Sequence, residues 1–203
     1  MKSDRTYYAH PSLAPARRLQ RAGDWMGALR LVPPGTAGDV LRAEILVDRH
    51  TWRLDPVDEA LSAIDTVHAA DPDAAAFLTA VLEFWRTLAG SGGASLGPDP
   101  VAQFAGLDGA ASIAPGWAAF WHGVTLENLR KEQDAAQAAY RRALAVALDE
   151  PDPLLESYVV RHQAFFLVEH DREAGLGLLR RSIQLRAACG ARPHVAAAQA
   201  ALA

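Results

Sequence analysis

The segment from Asp55 to Pro72 constrains this chain more than any other. Small or apolar residues stand at Ala60, Ile64 and Val67. An i, i+4, i+7 spacing places them on one stripe of a helix. Pro56 is expected in the first helical turn, where a missing N–H costs nothing. Pro72 follows Asp71 and is expected to end the helix, because its ring disfavours helical geometry at the residue before it. A stripe that opens on a small side chain lets a second helix approach closely, and the bulky residue a turn later fills the groove beside it.

The same small–large–small stripe recurs. Ala136, Tyr140 and Ala143 carry it, and Gly175, Leu179 and Ser182 repeat it 39 residues later. Ala28 holds the small position earlier, after Gly23-Asp24-Trp25. The small positions 28, 60, 136 and 175 are 32, 76 and 39 residues apart, and 76 is close to two repeats. With Pro72 behind its stripe, the pattern resembles the second helix of a tetratricopeptide repeat. That resemblance implies an all-α fold of antiparallel helical hairpins, stacked as a right-handed superhelix of about five pairs with a C-terminal capping helix. It departs from the family in two ways. The later spacing exceeds the usual repeat of about 34 residues, and Val47-Asp48 stands where the family has Leu-Gly. An ordinary helical bundle rich in alanine would also produce such spacings.

Helix pairs are expected over Leu13–Ala22 with a second helix through Val32, stopped by Pro33-Pro34-Gly35. Further pairs follow over Thr36–Trp52 with Pro56–Ala70, and from Asp73 with a short helix near Pro100–Leu107. The last two pairs begin at Trp117 and at about Pro153, and Val195–Leu202 supplies the cap. Phe77, Val81, Phe84, Trp85 and Leu88 stripe one first helix; Trp117, Phe120, Trp121, Val124 and Leu126 stripe another. Residues 1–11 read as a polar arm and 12–203 as one repeat domain. The run 89–98 has four glycines and a proline and is expected to be a flexible loop.

Half of the 203 residues are apolar, enough for a well-buried core. The net charge of −4 does not recommend a nucleic-acid binder. The charge is uneven. Residues 1–54 carry nine Lys/Arg and five Asp/Glu, whereas 55–108 carry one and nine. A basic end beside an acidic middle offers a route to self-association or a charged partner; solvated helix faces of mixed sign are the plain alternative. Cys189 is alone, so no disulfide framework exists. No run is long enough to span a bilayer and the first residues lack a signal-peptide core. A cytoplasmic protein with no membrane role is expected.

The chain has no phosphate loop, dinucleotide fingerprint, HExxH or CxxC. Gly90-Ser-Gly-Gly93 lacks the strand a phosphate cradle needs. No cofactor, metal or catalytic residue is assigned. First helices line the inner groove of such arrays, so His122, His162 and Glu169 are candidates to converge there as a metal site or acid–base pair. Trp117 and Trp121 lie a turn apart and are candidates for an aromatic wall, although filling the core is the more ordinary use of tryptophan. Arg161 and Arg130 are candidates for a carboxylate partner. Arg141-Arg142 and Arg180-Arg181 are expected on the outer face.

The expected function is therefore a non-enzymatic adaptor or scaffold that presents a concave groove to a protein or peptide. Its candidate contacts are Trp117, Trp121, His122, Arg161, His162 and Glu169. The alternative is a small-molecule binder or enzyme with a His/Trp-lined pocket in the same groove. A third role, implied by the resemblance, is an accessory to bacterial-type regulators, whose helical arrays act through partners.

Overall fold

The computed structural model describes residues 10–90, 95–200 and 202, and among these it contains eleven α-helices and no strand. The chain divides into two compact units, 1–114 and 115–203. Most of the expected polar arm and residues 91–94 of the expected loop lie outside the described residues.

Aspartate begins these helices repeatedly. Asp24, Asp71, Asp152 and Asp171 each accept a hydrogen bond from a backbone N–H two or three residues on, which satisfies an orphan donor of the first turn. Asp71-Pro72, Asp99-Pro100 and Asp152-Pro153 add proline at the first helical position. Pro72 thus starts the next helix, and the preceding one already stops at His68. Pro56 lies two residues before its helix rather than in the first turn. Pro72 differs because its fixed φ suits the first turn of the helix that follows it.

The first unit comprises α1 (Ala14–Arg21), α2 (Trp25–Arg30), α3 (Thr36–Arg53), α4 (Asp58–His68), α5 (Pro72–Leu88) and α6 (Pro100–Gly106). Leu13, Ala16, Trp25, Ala28, Leu41 and Ile45 form one buried cluster beneath α1–α3. Ala60, Ile64 and Val67 are all buried, as the stripe requires, and α4 packs against both α3 and α5. Phe104 of the short α6 is fully buried, edge-on to Phe77 of α5 at 5.5 Å. Trp85 and Leu88, expected on that apolar stripe, are exposed. The Glu83 carboxylate accepts from Ser95 Oγ and the Leu96 N–H, both at 3.0 Å, and so ties the chain before α6 to α5. Part of the basic N-terminal charge is used inside this unit: Arg17 pairs with Glu44 at 2.9 Å, and Arg49 with Glu59 at 2.7 Å and Asp55 at 3.0 Å.

The second unit comprises α7 (Trp117–Thr125), a π turn (Leu126–Arg130), α8 (Gln133–Asp149), α9 (Pro153–Leu167), α10 (Arg172–Ala188) and α11 (Arg192–Ala200). Its two hairpins are joined by the same device. A Cβ on Gly123 of α7 would stand 2.7 Å from the Tyr140 ring and 3.2 Å from the Ala136 carbonyl oxygen of α8. A Cβ on Gly175 of α10 would stand 2.8 Å from the Val168 backbone at the end of α9. Ala136, Tyr140, Ala143, Gly175, Leu179 and Ser182 are all buried. Ser182 sits where the earlier stripe has alanine. Its hydroxyl donates to the Ser157 carbonyl at 2.7 Å, so this small polar residue is satisfied across the contact. The capping helix begins at Arg192, three residues earlier than expected.

Candidate functional site

A partly buried polar cluster joins three elements of the second unit. Glu127 comes from the π turn, Tyr140 from α8 and His162 from α9. The Tyr140 hydroxyl donates to Glu127 Oε2 at 2.5 Å. His162 Nδ1 lies 2.8 Å from the same oxygen and 3.1 Å from the Tyr140 hydroxyl. Facing a carboxylate oxygen, His162 Nδ1 carries a hydrogen and donates to Glu127, which leaves Nε2 outside the cluster. Phe120 packs on both Tyr140 and His162, at 6.0 and 5.5 Å between ring centres.

The electrostatics follow from this packing. Burial pushes Glu127 up, but the His162 hydrogen bond and charge, the Tyr140 hydroxyl and Arg161 outweigh it and hold the carboxyl below its ordinary value. Burial, then the Glu127 charge, drives Tyr140 far above the ordinary phenol range, so it stays a neutral donor. An imidazole oriented by a carboxylate, with its second nitrogen unspent, is the arrangement a general base or a hydrogen-bonding contact requires.

The sequence candidates are placed as follows. Trp117 donates through Nε1 to Asp152 at 2.9 Å and packs edge-on to Tyr158 at 5.5 Å, so it joins α7 to α9. Trp121 is half-buried beside Phe120 at 5.7 Å. His122 is half-buried on α7. His162 meets Glu127 and Tyr140, whereas Glu169 is exposed. Glu169 lines a separate cleft of about 380 Å³ with Gln133, Gln137, Arg141, Gln163 and His170. Arg161 is half-buried, with its guanidinium 4.8 Å above the Phe165 ring. Arg130 is exposed at the end of the π turn. Arg180 is exposed, and Arg181 pairs with Glu156 at 3.0 Å. Among the described residues no group of three or more His, Cys, Asp or Glu is arranged to hold a metal. No described helix is long and apolar enough to cross a membrane.

Comparison with family models, curated proteins and solved structures finds no match. Three residues of this region carry interactions that sequence reasoning did not assign. Glu127, five residues after His122, carries no periodic signal, and Tyr140 was visible only as a bulky stripe residue. Arg186 is buried on α10, and its position, eleven residues after Gly175, continues the stripe 175, 179, 182. That continuation was the available signal.

Proposed function

We propose that this protein is a non-enzymatic adaptor whose helical hairpins form a tetratricopeptide-like right-handed array, with a protein or peptide partner bound on the first-helix face. The observation that carries this is the repeated hairpin contact: glycine and alanine admit α8 against α7, and Gly175 admits α10 against the end of α9. Repetition of one hairpin contact is the physical basis of a stacked array, and stacking leaves one face of successive first helices for binding. On α7 and α9 the half-buried Trp121, His122, Arg161 and His162 supply aromatic and charged groups of the kind that dominate binding energy. The fold class alone does not imply this role. The test is co-purification of a partner and its loss on changing these side chains while helical circular dichroism is retained.

The Glu127–His162 pair favours a second reading, a small-molecule binder or enzyme that uses His162 Nε2. Substrate turnover by the purified protein that disappears in His162→Gln would replace the adaptor with an enzyme.

A further inference from the structure

Arg161 and Arg186 stand on consecutive helices, α9 and α10, and neither makes an ion pair among the described residues. Arg186 is only 2% exposed. It donates through Nη1 to the His194 carbonyl at 2.8 Å and through Nε to Ser157 Oγ at 3.3 Å. Its Nη2 is buried without an acceptor. Arg161 offers five donors, and its buried Nε also lacks an acceptor. Each guanidinium lies over an aromatic ring instead: Arg186 over Tyr158 at 4.7 Å and Arg161 over Phe165 at 4.8 Å. Tyr158, Arg161 and Phe165 are spaced i, i+3, i+7, so they share one face of α9.

The charge count is unbalanced. The carboxylate of Glu127 acts on Arg161, but its Oε2 is already taken by Tyr140 and His162. Burial lowers the Arg186 guanidinium to about 10, with the Arg161 charge as a further cause, so Arg186 remains cationic at neutral pH. An arginine fork without its anion leaves the desolvation of a buried charge uncompensated. Aromatic faces offset part of that cost and leave Arg186 Nη2 and Arg161 Nε without acceptors.

We propose that Arg161 and Arg186 together form a binding site for one oxyanion group, a carboxylate or phosphate, received against the Tyr158–Phe165 face of α9. Guanidinium forks match the geometry of both groups. Arg161, the more exposed of the two, meets the group first, and Arg186 supplies the buried N–H that no protein atom accepts. The site stands without the adaptor reading, on which only the identity of the carrier molecule rests. The group is supplied either as a free anion or on an acidic peptide.

The experiment titrates the full chain at constant ionic strength and follows the Arg Nε–Hε resonances by NMR. The probes are sodium phosphate, sodium acetate, and a short glutamate peptide beside its glutamine counterpart, with sodium chloride as the reference. Saturable shifts at Arg161 and Arg186 are expected from at least one oxyanion probe. Saturation by phosphate or acetate identifies a free-anion site; saturation by the glutamate peptide alone identifies a group carried on a partner. Arg161→Gln should weaken binding about tenfold, the loss expected for one charge-assisted contact, with circular dichroism unchanged. Arg186→Lys is the second variant, because it keeps a charge in the buried position while removing the fork. No saturable shift with any probe, or binding unaltered in Arg161→Gln, overturns the site. A failure here leaves partner co-purification unaffected, so the two outcomes are separable.

Discussion

Gly123 presses against the ring of Tyr140 so closely that a single added carbon would stand 2.7 Å from it. The same ring reaches past that contact to place its hydroxyl on Glu127. Close helix approach and the polar cluster are therefore one construction.

Gly123→Ala should destabilise the second unit by roughly 1–3 kcal/mol, because Tyr140 is fully buried and cannot swing aside. Ala136→Leu should act in the same direction from the other side of the contact. Urea unfolding followed by circular dichroism measures both. An unchanged midpoint would mean that the helices are not in contact there.

Tyr140→Phe keeps the ring and removes the hydroxyl. Loss of this bond to a charged acceptor should cost about 1.5–3 kcal/mol. The double variant with Glu127→Gln should cost less than the sum of the single changes, since both belong to one network. Additive losses in a double-mutant cycle would separate the two residues.

Acid should weaken the second unit. The Glu127 carboxyl is held below its ordinary value of 4.5 in the fold, so its stabilisation is present above that pH. It is lost as pH falls through the folded value. Glu127→Gln should flatten the acid limb of the second unit's unfolding curve. An unaltered limb would show that Glu127 is not the titrating group.

The first unit carries the opposite sign. Asp48 is pushed up to about 6 by burial; Trp25, Trp52 and Gln20 hydrogen-bond it, and Glu44 repels it. Between the ordinary aspartate value and about 6, the unfolded chain releases its proton and the fold holds it. Stability should therefore fall as pH rises through that window, by about 1–3 kcal/mol. Unfolding midpoints of wild type and Asp48→Asn at about pH 4.5 and 7.5 measure it. Wild type should lose stability at the higher pH and the variant should not.

Much of the helical layout was legible in sequence because packing needs a periodic pattern. Ala136, Tyr140 and Ala143, with Gly175, Leu179 and Ser182, show their burial through spacing alone. Asp71-Pro72 was read at the right place but for the wrong helix, since Asp-Pro both follows one helix and caps the next. The polar cluster was not legible. Glu127 and His162 are 35 residues apart, and a π turn carries the first of them. A single helical period across that turn gives Glu127 no clear face. His162 was expected to converge with His122 and Glu169, whereas its hydrogen-bond partner is Glu127. Arg186 continued an apolar stripe with a charge, and a stripe search tuned to small and bulky apolar residues passes over it.

The central claim is that the first-helix face of the second unit binds a protein or peptide. The most direct measurement is the affinity of a co-purified partner for wild type, for Trp121→Ala with Arg161→Gln, and for Arg180→Gln with Arg181→Gln. The first-helix pair should weaken binding by at least about tenfold, as loss of aromatic and arginine contacts does, with helical circular dichroism intact. The outer pair should change little, because the Arg181–Glu156 pair is exposed on the arginine side and weak. Loss of binding in the outer pair, with full binding retained in the first-helix pair, would contradict the account.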